Sequence, residues 1–269
     1  MTRAADPVPW PTASFGAQVR VLTARSLKST VADRRLLFFL LLQPIVLLLL
    51  FSQVFSAIAA LPQVAIYDSY VNFLVPATMV NIGIATAMGT GTGLLAEIYS
   101  GFAERLRSMP INLFAVLAAR TVADTVRLAA LLVVTVLASV ALLGFRPAGG
   151  VLGVTAALLL TLVVGWCFSW LFVAITTWLR KAETLQTVSF IVMFPLMFSS
   201  SAYMPLDAMP VWMQIVSVVN PVTSAIDAVR ALALGMPVGW SVYIALTVSG
   251  AIALVGMLIS NRSVRERRF

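Results

Sequence analysis

Long runs without a charged residue are the feature that most constrains this chain. The run Leu36–Leu61 has 26 residues and the run Val151–Trp178 has 28. A bilayer core about 30 Å thick is crossed by about 20 apolar residues in an α-helix, so each run can span a membrane. Composition agrees, because 61% of the 269 residues are hydrophobic and only 10% are charged. The sequence therefore predicts an all-α membrane protein.

The apolar runs predict six transmembrane helices. Pro210 and Pro221 bracket only ten residues, so residues 206–239 are predicted to form a re-entrant outer hairpin of two short helices rather than a span. The predicted spans are Leu36–Leu61, Tyr70–Ala96, Leu128–Phe145 with the charged residues before it, Val151–Trp178, Thr184–Pro205 and Trp240–Ser260.

The N-terminal residues predict an amphipathic helix before the first span. From Phe15 to about Val31, apolar residues fall on one stripe and basic residues on the opposite side, with some mixing. Such a helix is expected to lie in the membrane interface. A solvated tail with some helix propensity is the alternative interpretation.

The distribution of basic residues predicts the orientation. If six spans alternate, both termini share one side with residues 97–112 and 179–184, and that side carries 14 of the 18 Lys and Arg residues. By the positive-inside rule this side is cytoplasmic. Residues 1–35 are then a cytoplasmic tail and amphipathic helix, 36–261 a transmembrane domain and 262–269 a basic cytoplasmic tail. The net charge of +8 encodes topology and is not read as a nucleic-acid binding signal.

The residue inventory excludes several kinds of active site. The sequence has no His and one Cys, Cys167, which excludes His-based triads, His zinc sites and disulfides within one chain. Neither Lys28 nor Lys181 follows a glycine, so no Walker A GK[ST] loop can be formed. We assign no catalytic residue, no metal ligand and no cofactor to this chain. Any ATP-driven work requires a partner.

Three charges precede the clean part of the third span. Arg120, Asp124 and Arg127 lie at i, i+4 and i+7, so Asp124 can pair with both arginines on one helical face. A structural pairing at the membrane edge is the favoured interpretation, and a proton or ion relay is the alternative. Two flanking arginines favour the charged form of the carboxylate, which argues against proton shuttling.

Spans two and five contain the candidate substrate path. Adaptable Met and aromatic side chains suit varied apolar ligands, although ordinary packing explains most such residues. Small residues in span two, including Gly89 and Gly93, predict close approach to another helix. The path candidates are Met79, Asn81, Met88, Phe194, Met197, Ser199 and Ser200.

Two sequence blocks resemble a known family. The first runs from Gly93 through Glu104-Arg-Leu-Arg-Ser-Met-Pro110 to Asp124, and the second from Met209 through Asn220-Pro221 to Arg230. Together they resemble the ABC-2 transporter permeases, and most closely the daunorubicin-resistance type of drug and lipid exporters. This chain departs from the family's common Glu-Arg-Glu pattern, since it reads Ala-Glu104-Arg105-Leu.

The resemblance implies a coupling helix at about 97–110 that contacts a separate ABC ATP-binding subunit through Glu97, Glu104, Arg105 and Arg107. That partner would bind ATP and Mg²⁺, and this chain would be a transport subunit rather than an enzyme. A second permease, identical or homologous, would complete the multi-pass assembly in a bacterial cell membrane.

The expected function is the membrane-spanning permease of an ATP-driven ABC exporter for lipophilic drugs or lipids. The expected partners are the ATP-binding subunit, the second permease, the lipid bilayer and the lipophilic substrate, with no nucleic acid. A polysaccharide-exporting ABC-2 permease is the alternative within the family. From another class, an ion-coupled secondary transporter remains a less favoured alternative.

Overall fold

A computed structural model of the chain describes residues 13–32, 34–55, 57–58, 61–99, 112–179 and 181–265. Every regular element in these ranges is helical, as the apolar runs predict. A 3₁₀ turn, Leu206–Ala208, precedes α8. The α-helices are α1 (Phe15–Ala32), α2 (Arg34–Val54), α3 (Pro62–Ala65), α4 (Tyr70–Tyr99), α5 (Leu113–Leu143), α6 (Gly150–Trp178), α7 (Ala182–Phe198), α8 (Val211–Val219), α9 (Pro221–Leu234) and α10 (Ser241–Arg265).

Four of these helices are long and apolar enough to cross a bilayer. They are the segments Tyr70–Glu97, Leu113–Leu143, Gly150–Trp178 and Ser241–Ser263. Helices α8 and α9 are bent by 80° at the break between them, and as one unit they would make a fifth candidate. The apolar helical segments Leu41–Val54 and Ala182–Phe198 are shorter. By length and composition, the described residues thus contain four candidate spans, or five with the bent pair, and the count of six stays a prediction.

Three predicted span boundaries differ from the helices observed by seven residues or more. Helix α2 ends at Val54, although the apolar run continues to Leu61. The sequence did not predict this end, because an uncharged apolar run contains no signal that stops a helix. Helix α7 ends at Phe198 instead of Pro205. Helix α5 starts at Leu113, well before Leu128, because its charged residues are paired along the helix and do not interrupt it.

Capping residues define the clearest helix ends. Asn112 caps α5 by accepting a hydrogen bond from the Phe114 N–H, and α5 ends at Gly144, which has a left-handed φ of 70°. Asn220 caps α9 through the Val222 N–H, and Gly235 ends it with a φ of 65°. Polar and glycine signals thus fix these boundaries where hydropathy does not.

Helix α6 is the centre of the bundle and contacts α4, α5, α9 and α10. Its aromatic residues Phe168, Trp170 and Phe172 are among the largest fully buried side chains. Glycines allow α4 to come close: a Cβ added to Gly165 would lie 3.3 Å from the Gly83 Cα, and one added to Gly91 would lie 3.0 Å from the Phe172 carbonyl oxygen. The predicted close approach of α4 therefore occurs.

Gly89 and Gly93, which the sequence singled out for that approach, have other surroundings. A Cβ at Gly89 would meet no atom within 4 Å, and a Cβ at Gly93 would overlap the guanidinium group of Arg120. Within this chain, the pair therefore does not contact the backbone of a neighbouring helix. The reason is angular position, because residues two apart on a helix face directions about 200° apart and only Gly83 and Gly91 face α6.

Candidate functional site

An ion-pair cluster joins α4 to α5. The Arg120 Nε donates to Asp124 Oδ2 at 2.8 Å, and the Arg127 Nη1 donates to Asp124 Oδ1 at 2.6 Å. The Arg120 Nη1 also donates to Glu97 Oε1 on α4 at 2.7 Å. Asp124 is only 3% exposed. We call Glu97, Arg120, Asp124 and Arg127 the ion-pair cluster. Its two positive and two negative charges balance, which lowers the cost of placing them inside a bundle.

The three charges predicted on one face of the third span therefore do come together. Arg120 precedes Asp124 by four residues and Arg127 follows it by three, so both guanidinium groups lie against one carboxylate. Glu97 was predicted as a contact with an ATPase, and the structure gives it a partner within the chain. Sequence reasoning had no means of pairing it with Arg120, because the two residues are 23 positions apart on different helices.

Gly93 makes room for the cluster. The Arg120 guanidinium lies directly over this glycine, in space that any side chain would occupy. Close approach of a polar group to a helix backbone requires the absence of a Cβ at that position. Gly93 is therefore a positioning residue for Arg120, a role that the sequence did not indicate.

Helix α1 is fastened to the same end of α5. The Arg127 Nη2 donates to the carbonyl oxygen and hydroxyl of Ser26, at 3.1 and 3.0 Å. Thr23 Oγ1 donates to the Ala119 carbonyl at 3.2 Å, and the Gln18 side chain accepts from the Asn112 N–H at 3.0 Å. The predicted N-terminal helix is thus present as α1 and packs along α5. Its contacts with this region begin at Asn112, the residue that directly follows segment 100–111.

The predicted coupling residues Glu104, Arg105 and Arg107 lie outside the described residues. Glu97 is the one member of that predicted group within them, near the end of α4. Segment 100–111 connects α4, which ends at Tyr99, to α5, which begins at Leu113. Both flanking helices carry residues of the ion-pair cluster near these ends.

A cavity of about 390 Å³ lies beside the cluster, between α2, α4, α5 and α7. We call it the α4–α5 cavity. Apolar side chains line much of it, among them Leu47 and Phe51 of α2, Leu131 of α5 and Met197 of α7. This volume falls in the range of small-molecule sites, about 300–1,000 Å³.

Polar groups are placed at particular positions in the α4–α5 cavity. Arg120, Asp124 and Arg127 line it, and Asn81 donates from Nδ2 to the Tyr203 hydroxyl at 3.2 Å. The cavity therefore presents an apolar wall with polar groups at a few positions, as ligand pockets in proteins commonly do.

Two predicted path residues, Asn81 and Met197, line the α4–α5 cavity. Met79 is instead buried in the core, at 1% exposure, and Met88 packs partly buried against the core. Phe194 is exposed and stacks on Phe198, with ring centroids 4.4 Å apart.

The predicted path serines bond to their own helix. Ser199 Oγ donates to the Pro195 carbonyl and Ser200 Oγ to the Met197 carbonyl. This satisfies their hydroxyl protons locally, as is common for hydroxyl side chains in membrane helices. The structure thus brings only part of the predicted path to one cavity.

Sequence reasoning missed several lining residues, including Phe51 and Tyr203. Phe51 was counted within an apolar run, and Tyr203 follows Asn81 by 122 positions. No local pattern connects such residues. Only the packing of α2 and α7 on α4 brings them to one cavity.

A second buried cation lies in the predicted outer hairpin. Arg230 of α9 is 4% exposed and donates to the carbonyl oxygens of Phe73 at 3.2 Å and Ser201 at 2.8 Å. It also pairs with Asp227 at 3.0 Å, and its guanidinium lies 3.9 Å from the centroid of the Phe73 ring. Arg230 therefore fastens α9 to α4 and to the loop after α7.

The chain is similar to known proteins over most of its length. Residues 17–234 match the family described as ABC-2 type transporter. The Daunorubicin resistance ABC transporter permease protein DrrB1 of Streptomyces coeruleorubidus is 32% identical over 228 residues, which cover 85% of this chain and 79% of that protein. The Probable doxorubicin resistance ABC transporter permease protein DrrC of Mycobacterium tuberculosis is 27% identical over 237 residues, covering 83% and 79%.

A third relative is similar over fewer residues. The Putative transport permease ycf38 of Cyanophora paradoxa is 29% identical over 201 residues, which cover 71% of this chain and 66% of that protein. The matched residues include the ion-pair cluster and the α4–α5 cavity, because the family match extends over 17–234.

Proposed function

The chain belongs to the ABC-2 type transporter family, and from this premise we propose that it is the membrane-spanning permease subunit of an ATP-driven exporter. The observation that carries the proposal is the family match over residues 17–234, supported by a drug-resistance permease that is 32% identical. The apolar helices fit this function, since four or five of them are candidate spans by length and composition.

ATP hydrolysis belongs to a separate ABC ATP-binding subunit in this proposal. Neither lysine of the chain lies in a GK[ST] sequence, so the phosphate-binding loop and its Mg²⁺ are supplied by that partner. Segment 97–110 contacts the partner, through Glu104, Arg105 and Arg107. The docking of α1 beside Asn112, just after this segment, supports the proposal that α1 lies next to the contact.

Movement reaches the bundle through the two helices that flank the segment. Helices α4 and α5 are joined by the Glu97–Arg120 ion pair, so a displacement of segment 100–111 acts on both. The same two helices line the α4–α5 cavity. ATP binding changes the cavity only when the partner binds two conformations with different affinity, which sets the size of the population shift.

The proposed topology has six spans and both termini in the cytoplasm of a bacterial cell. The four long helices are joined by α2 and α7 as shorter spans, and α8–α9 forms the outer hairpin. The excess of Lys and Arg on the side of both termini supports this orientation. A second permease, identical or homologous, completes the translocation unit.

The proposed substrates are lipophilic drugs or lipids, moved outward. Two relatives are named for daunorubicin or doxorubicin resistance. The α4–α5 cavity agrees with this class, because its wall includes Leu47, Phe51 and Met197 and its polar atoms are few.

Co-purification and ATPase measurement test the proposal. The chain is extracted in mild detergent with the ATP-binding subunit that accompanies it, and drug-stimulated hydrolysis is measured with daunorubicin. The double variant Glu104→Ala/Arg105→Ala should lose stimulation while inserting normally in the membrane. The matched control, Lys181→Ala/Glu183→Ala, removes one base and one acid from another predicted cytoplasmic loop and should retain it.

Two outcomes would contradict the proposal. One is the absence of an ATP-binding subunit from the purified complex. The other is stimulation that is unchanged in the Glu104→Ala/Arg105→Ala variant, which would remove the segment from any role in coupling.

A further inference from the structure

A second cavity, of about 180 Å³, lies between α1, α4 and α5. We call it the α1 pocket. Helix α1 contributes Arg25 and the serines Ser26 and Ser29, and α5 contributes Arg120. Among the described lining residues, Glu97 is the one carboxylate, and it accepts a hydrogen bond from Arg120. Two guanidinium groups thus face one carboxylate, which leaves the pocket with an excess of one positive charge.

The outward face of α1 is basic. Arg20, Arg25 and Lys28 are exposed, and the helix Phe15–Ala32 contains no Asp or Glu. Arg35, near the start of α2, is exposed as well. The opposite face of α1 packs on α5. Several cations on the exposed face of a helix that adjoins a membrane segment are typical of a surface that attracts anionic lipids.

In a bilayer, the α1 pocket is expected at the depth of the lipid headgroups. Helix α5 has 31 residues and is about 46 Å long at 1.5 Å per residue, whereas the hydrocarbon core is about 30 Å thick. The uncharged part of α5, from Leu128 to Leu143, accounts for about 24 Å of that core. Most of the part before Leu128, on which α1 packs, therefore extends into the headgroup layer.

A lipid phosphate complements the α1 pocket in charge and in size. Anionic oxygens accept strong hydrogen bonds from guanidinium groups, and hydroxyl groups add further donors. A water molecule takes about 30 Å³ in the liquid, so about 180 Å³ accommodates a phosphate with a few bound waters. At the depth of the headgroups, the nearest anions are lipid phosphates and not the side chains of a soluble protein.

We propose that the α1 pocket binds the phosphate of an anionic phospholipid, which the guanidinium group of Arg25 and the hydroxyl of Ser29 hold, while Arg20 and Lys28 attract the charged bilayer surface. The bound phosphate also lies beside the Glu97–Arg120 ion pair that joins α4 to α5. This inference goes beyond the proposed permease function, and the binding requires no ATP-binding subunit.

The test is native mass spectrometry of the purified full chain in detergent, with dioleoylphosphatidylglycerol and dioleoylphosphatidylcholine supplied in equal amounts. The two lipids have the same acyl chains and both contain a phosphate, but only phosphatidylglycerol has a net negative charge. We expect the first bound lipid to be phosphatidylglycerol, preferred at least about tenfold, because hydrogen bonds to a charged group are the stronger ones. Equal binding of the two lipids would overturn the proposal.

Arg25→Gln is the variant at the α1 pocket, and Arg20→Gln is its matched control. Both arginines are exposed on α1, but at 3.6 residues per turn they point about 140° apart, and only Arg25 lines the pocket. We expect Arg25→Gln to reduce the preference for phosphatidylglycerol about five- to tenfold and Arg20→Gln less than about twofold. Equal losses would show a diffuse attraction to α1 and no site in the pocket.

Ser29 provides a second pair of variants that leaves Arg25 in place. Ser29→Glu adds a negative charge at the α1 pocket, and Ser29→Gln adds similar bulk without the charge. Ser29 is exposed, so both variants should keep the helical content of the wild type, measured by circular dichroism. We expect Ser29→Glu to abolish the preference and Ser29→Gln to lower it less than about threefold. Wild-type binding by Ser29→Glu contradicts the assignment.

Two further outcomes would overturn the proposal. Release of phosphatidylglycerol by excess inorganic phosphate would make the α1 pocket a site for the free anion. A wild-type chain without lipid preference, whose Arg25→Gln variant fails to co-purify with an ATP-binding subunit, would make the basic face of α1 a protein contact. Lipid binding with the expected variant pattern, when no ATP-binding subunit is recovered, leaves this site intact and contradicts only the proposed function.

Discussion

Asp124 illustrates how one residue organises this protein. Each of its carboxylate oxygens is taken by a different arginine, and the two arginines in turn reach Glu97 on α4 and Ser26 on α1. Three helices are thereby held at one point by polar contacts inside an apolar bundle. Loss of one member of such a cluster destabilises the fold, because the remaining charges stay buried without compensation.

The contrast between Gly93 and Gly89 gives a residue-scale prediction. Gly93→Ala places a Cβ where the Arg120 guanidinium lies, so the guanidinium, which is the flexible end of its side chain, has to shift and its two ion pairs are disturbed. We expect destabilisation of about 1–2 kcal/mol, within the usual range for a single substitution that disturbs a polar network. Gly89→Ala meets only open space and should stabilise the helix by about 0.5–1 kcal/mol. Thermal unfolding of the purified variants in detergent measures both signs.

The opposite signs are essential to this prediction. The two glycines lie four residues apart on the same helix, so any general effect of alanine on α4 would move both variants in one direction. Equal melting temperatures for Gly93→Ala and Gly89→Ala would show that Arg120 does not depend on Gly93.

At the scale of residues, spacing predicted part of the site. The i, i+4, i+7 pattern of Arg120, Asp124 and Arg127 was sufficient to expect their pairing, because helical geometry fixes which side chains share a face. The same reasoning had no access to Glu97 or Tyr203, whose contacts depend on how separate helices pack. Hydroxyl residues were also ambiguous, since Ser199 bonds to its own helix instead of lining the cavity.

Asn220 connects two elements and gives a prediction at that scale. Its side chain caps α9 by accepting from the Val222 N–H, and its Nδ2 donates to the Leu196 carbonyl at 2.7 Å and to Ser199 Oγ at 3.1 Å. Asn220→Ala should cost about 1 kcal/mol for the lost cap and more for the two bonds that hold the end of α7.

Two further variants separate these contributions, all measured as shifts in melting temperature. Asn112→Ala also removes an N-cap, but at an exposed position, so it should shift the melting temperature less than Asn220→Ala. Asn220→Asp keeps the cap acceptor and loses the Nδ2 donor, and should fall between wild type and Asn220→Ala. An Asn220→Ala effect no larger than that of Asn112→Ala would mean that the bonds to α7 contribute nothing.

Element boundaries were predictable where caps or prolines mark them. The two short helices of the predicted hairpin were anticipated from Pro210 and Pro221. Helix α8 begins directly after Pro210, and α9 begins at Pro221. The end of α2 was not anticipated, because nothing in an uncharged sequence distinguishes Val54 from Leu61. Packing decides there instead: Phe51 and Phe55 lie against Tyr203, with ring centroids 5.1 and 5.8 Å away.

The whole molecule can be described as a central helix, α6, with an α4–α5 pair whose ends meet at segment 100–111. The Glu97–Arg120 ion pair links the two helices at this end, and the α4–α5 cavity lies further along the same pair. A push on the segment is transmitted to the cavity only if α4 and α5 move together. Under the proposed function, the ion pair is therefore the connection between ATPase contact and substrate site.

Glu97→Gln tests this connection, because it removes the charge that joins α4 to α5 while leaving the cavity lining unchanged. The Glu97 side chain is 33% exposed, so the variant should still fold and insert. We expect the ATP-binding subunit to co-purify as with wild type and substrate-stimulated hydrolysis to fall about five- to tenfold, the lower range of coupling between sites. Glu183→Gln, which changes an exposed acid elsewhere, should retain stimulation. Loss of co-purification would instead make Glu97 a direct ATPase contact, and unchanged stimulation would mean that α4 and α5 transmit movement without their ion pair.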